Sequence, residues 1–439
     1  MHHIYLPIKT TSPVAIRADH AAGGAATTSY IPGTTLLGSF AAAHRILRPK
    51  QQQEFARLFL EDHIFYSSLY PAVFNQSHMG IDVSNVPVRP LPKTAQSCKR
   101  FPGFELLKGE LADNEKRHGV RDSLLDWAAF SFRDGEKQSI PSLLSPFEDH
   151  ESCKYCQQPF DHISGYYRRA EKDPAQRMQA HSSTRLQTRT GINREWGIVE
   201  EDILYNREVF DEGMLFWGEV LISEKENKEP PDENLVTLFT KFVKEASKED
   251  LIRLGTGRTR GLGSIEEIKR LFAPRQTPQE RFANFKDRLD KFHDAVRSQA
   301  QKAGIRSDPF YFAITLYSAT ILCDPFLRYY QALTTNTLHD ALQAVVPEGQ
   351  LSSHSFKKIY QASNTQHITG WNELWGTPRT SDYAIEMGST FLFSSSHELD
   401  NELLLALYTL EETGIGRRRS EGFGRICISD RFHREGKQS

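Results

Sequence analysis

Two stretches of this 439-residue chain decide its organisation: loop 1, Leu254-Gly255-Thr256-Gly257-Arg258-Thr259-Arg260-Gly261-Leu262-Gly263, and loop 2, Gly414-Ile415-Gly416-Arg417-Arg418-Arg419-Ser420-Glu421-Gly422-Phe423-Gly424-Arg425-Ile426. Each combines paired glycines, an arginine cluster and a closing Gly-apolar-Gly. Glycine permits positive φ and lets a backbone approach a bulky ligand closely, and exposed backbone N–H groups form an anion-binding concavity. Arginine adds bidentate phosphate contacts and a flat face for stacking on bases. The loops are therefore predicted to grip a nucleic-acid backbone.

The same elements precede both loops. Residues 214–223 read as a strand, and the apolar residues of 235–246 recur at helical spacing before loop 1. Before loop 2, residues 390–394 read as a strand and 397–412 as a helix. Neither loop has the Lys-Ser/Thr ending of a P-loop, and both follow a helix. The pattern predicts a duplicated α+β domain, and the plainer alternative for each loop is a glycine-rich turn with solvated arginines.

The remaining segments give a domain plan. Residues 1–272 are predicted to form the first domain, with a turn-rich insertion at about 75–165 that carries three of the five cysteines. A polar stretch at 273–305 is predicted to be a helical linker, and 306–439 the second domain, opening on a long apolar strand at 310–322.

Composition limits the classes of function. The net charge is -2, so a nucleic-acid binder of this composition must use local basic clusters. Five cysteines are too few for a disulfide scaffold, and the N-terminal residues do not resemble a signal peptide. No apolar run reaches the ~18 residues of a membrane span. We expect a protein of the cytoplasm, where close cysteines suggest a metal before a disulfide.

The cysteines of the insertion predict a structural zinc site. Cys153-Lys154-Tyr155-Cys156 is a CxxC, a spacing that lets both thiolates reach one tetrahedral ion. Cys98, in the same insertion, is the predicted third ligand. His118 is the predicted fourth, with His150 and His162 as alternatives. Free thiols or a redox pair are the other interpretations, although a redox CxxC normally begins a helix in a βαβ unit.

These residues together resemble a known family. Loop 2 resembles the C-terminal glycine-rich loop of the RAMP superfamily of CRISPR-associated proteins, and loop 1 resembles a second copy of it. Residues 31–38, Ile-Pro-Gly-Thr-Thr-Leu-Leu-Gly, resemble the Pro-Gly entry to the first helix of such proteins. Residues 188–194, with 204–216 after them, resemble the hairpin and strand of the members that bind CRISPR RNA (crRNA).

The resemblance is nearest to the large two-domain RAMP subunits of subtype III-D effector complexes. It implies two ferredoxin-like (RRM-like) domains, with the zinc-binding insertion in the first. It also implies crRNA binding near the 5′ tag beside other RAMP subunits and the large polymerase-like subunit, with target RNA reached through the guide. The predicted RNA-binding residues are Gly255, Gly257, Arg258, Arg260, Gly261, Gly263, Gly414, Gly416, Arg417, Arg418, Arg419, Gly422, Gly424, Arg425, Arg185, Arg189 and Arg194.

Catalysis is the open question at this stage. We expect a non-catalytic structural subunit. The alternative is a RAMP endoribonuclease that processes repeat RNA, with His44 of the first helix as general acid/base on a 2′-hydroxyl. The subunits of type III complexes that cut the RNA backbone use a loop aspartate instead. Asp19, followed by His20, is the candidate of that type in this sequence.

Overall fold

A computed structural model gives the fold of this chain. It describes residues 1–17, 26–72, 87–105, 117–134, 152–169, 177–192, 199–223, 234–269, 271–274, 276–302, 304, 307–347, 351, 354–372 and 376–435. In these ranges the protein is a mixed α+β structure built on several antiparallel sheets.

The helices of the described residues are α1 Gly33–Leu47, α2 Gln52–Phe59, α3 Leu124–Asp134, α4 Leu235–Lys248, α5 Pro278–Lys302, α6 Thr335–Gln343, α7 Asn401–Thr413 and α8 Phe432–Glu435. The strands are β1 His2–Lys9, β2 Ile64–Tyr66, β3 Tyr70–Pro71, β4 Arg89–Pro90, β5 Ala95–Cys98, β6 Val120–Asp122, β7 Phe160–His162, β8 Tyr166–Arg169, β9 Arg177–Ala180, β10 Thr184–Ile192, β11 Val199–Phe210, β12 Leu215–Ile222, β13 Phe310–Leu316, β14 Phe356–Ala362, β15 Thr365–Ile368, β16 Trp371–Asn372, β17 Thr377–Pro378, β18 Asp382–Ile385, β19 Thr390–Ser395 and β20 Ile426–Ile428.

The first unit is a sheet with helices on one face. Strand β12 lies between β1 and the short strands β2 and β3, all antiparallel to it. Residues after loop 1 lie along the other edge of β1 through bridges at Thr10–Ile265 and Tyr5–Phe272. Alternate β1 side chains, those of Ile4, Leu6 and Ile8, are buried against α1 and α4 because a strand presents every second side chain to one face.

The second unit repeats this arrangement. Its sheet has the order β14-β19-β13-β20, all antiparallel, with α6 and α7 packed on one face. When the strands of each unit are numbered along the sequence, both sheets have the spatial order 2-3-1-4. In each unit the Gly/Arg loop leads into the fourth strand position. Two bounds differ from the expectation. Strand β13 ends at Leu316, and α7 begins at Asn401 because the Asp400 side chain caps it by accepting from the Leu403 N–H at 2.7 Å.

Helix α5 confirms the helical part of the 273–305 prediction but does not behave as a solvated linker. Apolar residues at three- to four-residue spacing form a buried stripe along its length, and these residues are Phe285, Leu289, Phe292, Val296 and Ala300. They complete the core of the second unit on both sides of β13. The helix is therefore part of the second unit.

The insertion reaches across to the second unit. Its helix α3 buries Leu124, Ala128 and Phe132 against Tyr311 and Ala313, on the face of β13 opposite to α6 and α7. Beyond residue 165, β8 pairs with β4 on one side and with β9 on the other, so the small sheets of this region continue to Ala180. The insertion thus covers a sheet face that belongs to the other half of the chain.

A buried polar cluster also joins the units. The His3 ring lies between the carboxylates of Glu219, at 2.5 Å, and Glu412, at 2.8 Å. Glu219 belongs to β12 and Glu412 to α7 of the second unit, and Arg425 lies 3.8 Å from Glu219. Burial opposes a charged imidazole, but the two carboxylates outweigh it and raise the pKa of His3. His3 acts as a cationic bridge between the units.

A direct backbone contact also joins the units. Gly33, at the start of α1, and Gly422 of loop 2 pack against each other and against the Tyr66 carbonyl. A Cβ on Gly33 would lie 2.1 Å from the Tyr66 oxygen and 2.7 Å from the Glu421 oxygen. No side chain fits between these segments.

We predict that Gly33→Ala destabilises the protein, whereas Gly38→Ala does not. The added methyl at Gly33 meets rigid backbone, and overpacking of this kind costs about 1–3 kcal/mol. Gly38 lies in the same helix with nothing within 4 Å of an added Cβ, so alanine there should stabilise the helix by about 0.5–1 kcal/mol. Urea unfolding of both variants measures the difference. Equal effects would mean that the Gly33 contact is looser than described.

We also predict a pH-dependent contribution from His3. A group whose pKa is raised on folding stabilises fully below its unfolded pKa of about 6.5 and loses that contribution as pH rises through the folded value. The melting temperatures of wild type and His3→Gln should therefore differ more at about pH 5.5 than at about pH 9. A gap that stays constant over this range would show that His3 is not charged in the folded protein.

Candidate nucleic-acid interface and metal site

The two Gly/Arg loops have the same backbone. In loop 1 the N–H of Leu254 donates to the carbonyl of Gly263 at 2.8 Å, and in loop 2 the N–H of Ile415 donates to that of Gly424 at 2.9 Å. A single 3₁₀ turn lies inside each loop and ends on a glycine with positive φ. The duplication expected from the sequence thus extends to individual hydrogen bonds.

Each loop is anchored on the segment that follows the first strand of its unit. Gly255 has φ +74°, and a Cβ on it would lie 2.3 Å from the carbonyl oxygen of Ala15. Gly416 has φ +85°, and its Cβ would lie 2.4 Å from the carbonyl oxygen of Ile321. The residue after each glycine donates its N–H to that same carbonyl, at 2.9 and 3.0 Å. Only glycine satisfies the φ and the spacing together.

The other glycines predicted from the loops also adopt positive φ, and these are Gly257, Gly261, Gly263, Gly414, Gly422 and Gly424. Loop 1 places Arg258 and Arg260 in its 3₁₀ turn, with Arg258 half-buried and Arg260 exposed. These two cations are presented from a rigid turn.

Arg418 of loop 2 serves the fold. It occupies the position of Gly257 and shares its left-handed conformation, with φ +57°. Its guanidinium donates to Asp382 at 2.7 Å and to Glu421 at 2.8 and 3.0 Å, and lies over the Phe423 ring. Burial opposes its charge, but the carboxylates raise the pKa of Arg418. The guanidinium is held by these intramolecular contacts.

The sequence prediction of one continuous arginine cluster in loop 2 therefore needs correction. The Arg425 guanidinium donates to the Glu412 carbonyl at 2.9 Å and belongs to the junction of the units. Arg419 donates to the Thr413 carbonyl at 3.4 Å. Arg417 is the exposed member of the group. The signal that sequence reasoning lacked was the position of the acidic and carbonyl partners, which are brought in by folding.

The hairpin of β10 and β11 carries the remaining predicted arginines. Arg185 pairs with Asp211 at 3.1 Å and Glu212 at 2.7 Å, while its side chain stays 43% exposed. Arg189 is half-buried, and its guanidinium lies 3.4 Å from the side-chain oxygen of Gln187. Arg194 lies outside the described residues.

The structure brings together the four residues expected to hold a metal: Cys98, His118, Cys153 and Cys156. Their donor atoms all lie within 4.8 Å of one another. The closest pairs are the Cys98 and Cys156 sulfurs at 3.4 Å, and His118 Nδ1 with the Cys153 sulfur at 3.2 Å. Cys98 ends β5, His118 precedes β6 and the CxxC precedes β7. Because β5 is antiparallel to both neighbours, all four residues lie at the same end of this sheet.

The donor set fits a tetrahedral ion with thiolate and imidazole ligands. Zn–S bonds of about 2.3 Å place two thiolates about 3.8 Å apart, close to the spacing found here. Burial disfavours the Cys98 thiolate, but backbone N–H groups of Phe101 and Arg100 and the neighbouring thiols lower the pKa of Cys98. Burial and the neighbouring thiols raise the pKa of Cys156.

The alternative fourth ligands and the remaining cysteines are not part of this cluster. His162 is exposed, and its Nδ1 lies 3.2 Å from the Ala95 carbonyl oxygen. His150 lies outside the described residues. Cys427 is a buried core residue, and burial raises the pKa of its thiol to about 12. Cys323 is only half-buried, with its sulfur 3.6 Å from the Arg417 guanidinium.

His44, the candidate general acid/base, is buried at 1% exposure. Its Nε2 lies 3.0 Å from a Glu54 carboxylate oxygen, and its ring packs among those of Phe55, Phe59 and Phe242. Asp19 and His20 lie outside the described residues.

The loops and the duplicated units agree with the family comparison. The chain belongs to the RAMP superfamily, whose family model matches residues 7–266. No curated protein matches the sequence. Across the part of the chain that the structure describes, none of the helices is both long enough and apolar enough to span a membrane.

Three solved structures illustrate its structural relatives. A chain of the type III-B Cmr-beta complex bound to cognate target RNA is 11% identical, with a TM-score of 0.35, and the match covers 93% of this chain and 94% of that one. A chain of the same complex in the apo state is 11% identical, with a TM-score of 0.28, covering 60% and 96%. A Cas6 product complex is 14% identical, with a TM-score of 0.27, covering 49% and 78%.

We predict that Cys153→Ser removes bound metal and loosens the insertion, whereas Cys323→Ser leaves both unchanged. Serine is a poor substitute for a thiolate, so the ion loses a ligand, while Cys323 lies outside the cluster. Elemental analysis of the purified proteins gives the metal content. Limited proteolysis reports whether the loosening is confined to the insertion. Full metal content in Cys153→Ser would rule out this ligand set.

Proposed function

We propose that this chain is a non-catalytic crRNA-binding structural subunit of a type III CRISPR interference complex. The observation that carries this proposal is the repeated loop: two glycine-rich turns with matching hydrogen bonds, each holding arginines at the surface. A rigid turn that presents guanidinium groups and backbone close to a ligand suits the phosphates of a bound RNA strand.

The two sheets support ferredoxin-like domains as the finer description of the fold. Each unit runs strand, helix, strand, strand, helix, strand, and the strand order of the second sheet, β14-β19-β13-β20, is that of a ferredoxin-like unit. In the first unit the fourth position is held by bridges at Ile265 and Phe272. On this basis the chain is a pair of RAMP domains with an insertion in the first.

Zinc is the ion we propose for the Cys98, His118, Cys153 and Cys156 cluster. Three thiolates and one imidazole make a closed tetrahedral set of the structural kind. The sheet of β6, β5 and β7 is small, so a bound ion would supply much of its stability. Its role in this proposal is to fix the insertion.

The partners follow from this role. The guide RNA would lie on the arginine-bearing loops, and target RNA would be reached by pairing with the guide. Other RAMP subunits and the large polymerase-like subunit would flank the chain, in the cytoplasm. Because the net charge of the whole chain is -2, the contact with RNA would rest on local clusters.

The burial of His44 weighs against a repeat-processing endoribonuclease built on that residue. Incubation of purified protein with a repeat RNA, without added metal, tests this alternative directly. Discrete cleavage products that disappear in a His44→Ala variant would establish that nuclease. Intact RNA, together with co-purified RNA of guide length, would support the structural role.

We predict that substituting Arg258, Arg260 and Arg417 has a different effect from substituting Arg418, which Asp382 and Glu421 hold. Arg258→Ala, Arg260→Ala and Arg417→Ala together should weaken binding to all guide sequences alike. They should also reduce the log–log salt slope by about 0.7 for each phosphate that is no longer neutralised. Arg418→Ala should lower thermal stability instead, because Asp382 then loses its cation and Glu421 keeps only Arg379. The measurement is a salt titration of guide-RNA binding, with unfolding followed by circular dichroism.

An affinity and a salt slope unchanged by the triple substitution would remove the proposal's main support. The Arg418→Ala variant serves as the matched control for loss of charge within the same loop. If it weakens RNA binding as strongly as the triple variant without loss of stability, Arg418 contacts RNA and the internal pairing is broken in the complex.

A further inference from the structure

The metal cluster presents cations on its outer side. Lys99 and Arg100 follow Cys98 directly, and Lys154 follows Cys153, so both cysteine-bearing turns place basic residues next to a ligand. All three side chains are exposed. These cations come from parts of the sequence more than fifty residues apart and meet only because the four ligands converge.

Two aromatic rings lie between these cations. Phe101 and Tyr155 both contact the ring of His118, with centroids 4.6 and 5.1 Å away. Tyr155 is 55% exposed. Arg100 lies over Phe101 at 5.3 Å, and Lys154 over Tyr155 at 5.0 Å. A ligand of the metal therefore positions both rings, and each ring carries a cation.

We propose that this knuckle surface, formed by Lys99, Arg100, Phe101, Lys154 and Tyr155, binds single-stranded RNA at a site separate from loops 1 and 2. The proposal rests on the function proposed above. Cations beside accessible aromatic rings are the combination that holds single strands, since phosphates meet the charges and bases stack on the rings. Here Tyr155 is the more exposed ring and Phe101 is half-buried. The bound metal would order the surface without touching RNA.

Charge and composition favour RNA over a protein partner. The surface carries three cations, and the Glu105 carboxylate beside it accepts a hydrogen bond from the Tyr155 hydroxyl at 3.0 Å. Protein interfaces are depleted in lysine at their centres, whereas two of the three cations here are lysines at the edge of a small aromatic area. A phosphate backbone neutralises such a group more readily than an apolar protein surface.

The test measures binding of a fluorescein-labelled oligouridine of about 15 nucleotides to the full-length, metal-loaded protein by anisotropy over a range of salt. Lys99→Ala, Arg100→Ala and Lys154→Ala together should lower affinity and reduce the log–log slope by about 2. Tyr155→Ala should weaken binding by about 5- to 150-fold, the range for one base–aromatic stack, while Tyr155→Phe keeps the ring and should bind like wild type.

Two controls separate the knuckle surface from general effects. Lys241→Ala, Lys244→Ala and Lys248→Ala on α4 remove the same charge from exposed positions elsewhere and should leave affinity nearly unchanged. Metal content and melting temperature are measured for every variant. If the Tyr155→Ala protein loses its metal, Lys154→Glu is tested in its place, because Lys154 is exposed. The Lys154→Glu protein must then bind RNA more weakly while it retains the metal.

The outcomes distinguish this inference from the proposed function. Normal RNA binding by the knuckle variants, with loss of binding in the loop variants, would overturn the inference and leave the proposed function standing. Wild-type protein that binds no RNA would overturn both. Knuckle variants that bind RNA normally but no longer associate with neighbouring subunits would identify the surface as a protein interface and overturn the inference.

Discussion

Direct packing of backbone against backbone determines the geometry of the two units. Gly255 and Gly416 each lie against a backbone carbonyl of the segment that follows the first strand of their unit, with no room for a Cβ. Gly33 and Gly422 bring the two units into backbone contact in the same way. Such contacts tolerate little displacement because neither side has a rotamer to change. The loops are therefore stiff, and their exposed side chains project from a fixed base.

This stiffness explains why two loops with the same backbone have different roles. Because the backbone is fixed, the contacts of the side chain at each position depend on the residues that face it. Position 257 is a glycine, while the equivalent Arg418 finds Asp382 and Glu421 and closes loop 2 on itself. Position 264 is a serine, while the equivalent Arg425 reaches the junction of the units. A common scaffold thus carries one outward-facing loop and one that also joins the two halves.

The sequence predicted what depends on local pattern. Glycine spacing located both loops, periodicity located α4, a polar composition indicated the helical stretch that contains α5, and the CxxC within a turn-rich segment led to the metal ligands. It failed where the environment is assembled from distant segments. His44 is enclosed by Phe55, Phe59 and Phe242, and Arg418 of loop 2 pairs with Asp382, 36 residues away in sequence. Burial of a polar side chain depends on tertiary packing, which no local period encodes.

The placement of α3 on the sheet of the second unit has a consequence for synthesis of the chain. The ribosome releases α3 long before β13, so the apolar face formed by Leu124, Ala128 and Phe132 has no partner while the intervening segments emerge. Domains generally fold as units during translation, and exposed apolar surface favours aggregation meanwhile. The insertion can therefore close only after β13 has been synthesised, and truncation before β13 would leave this apolar surface exposed.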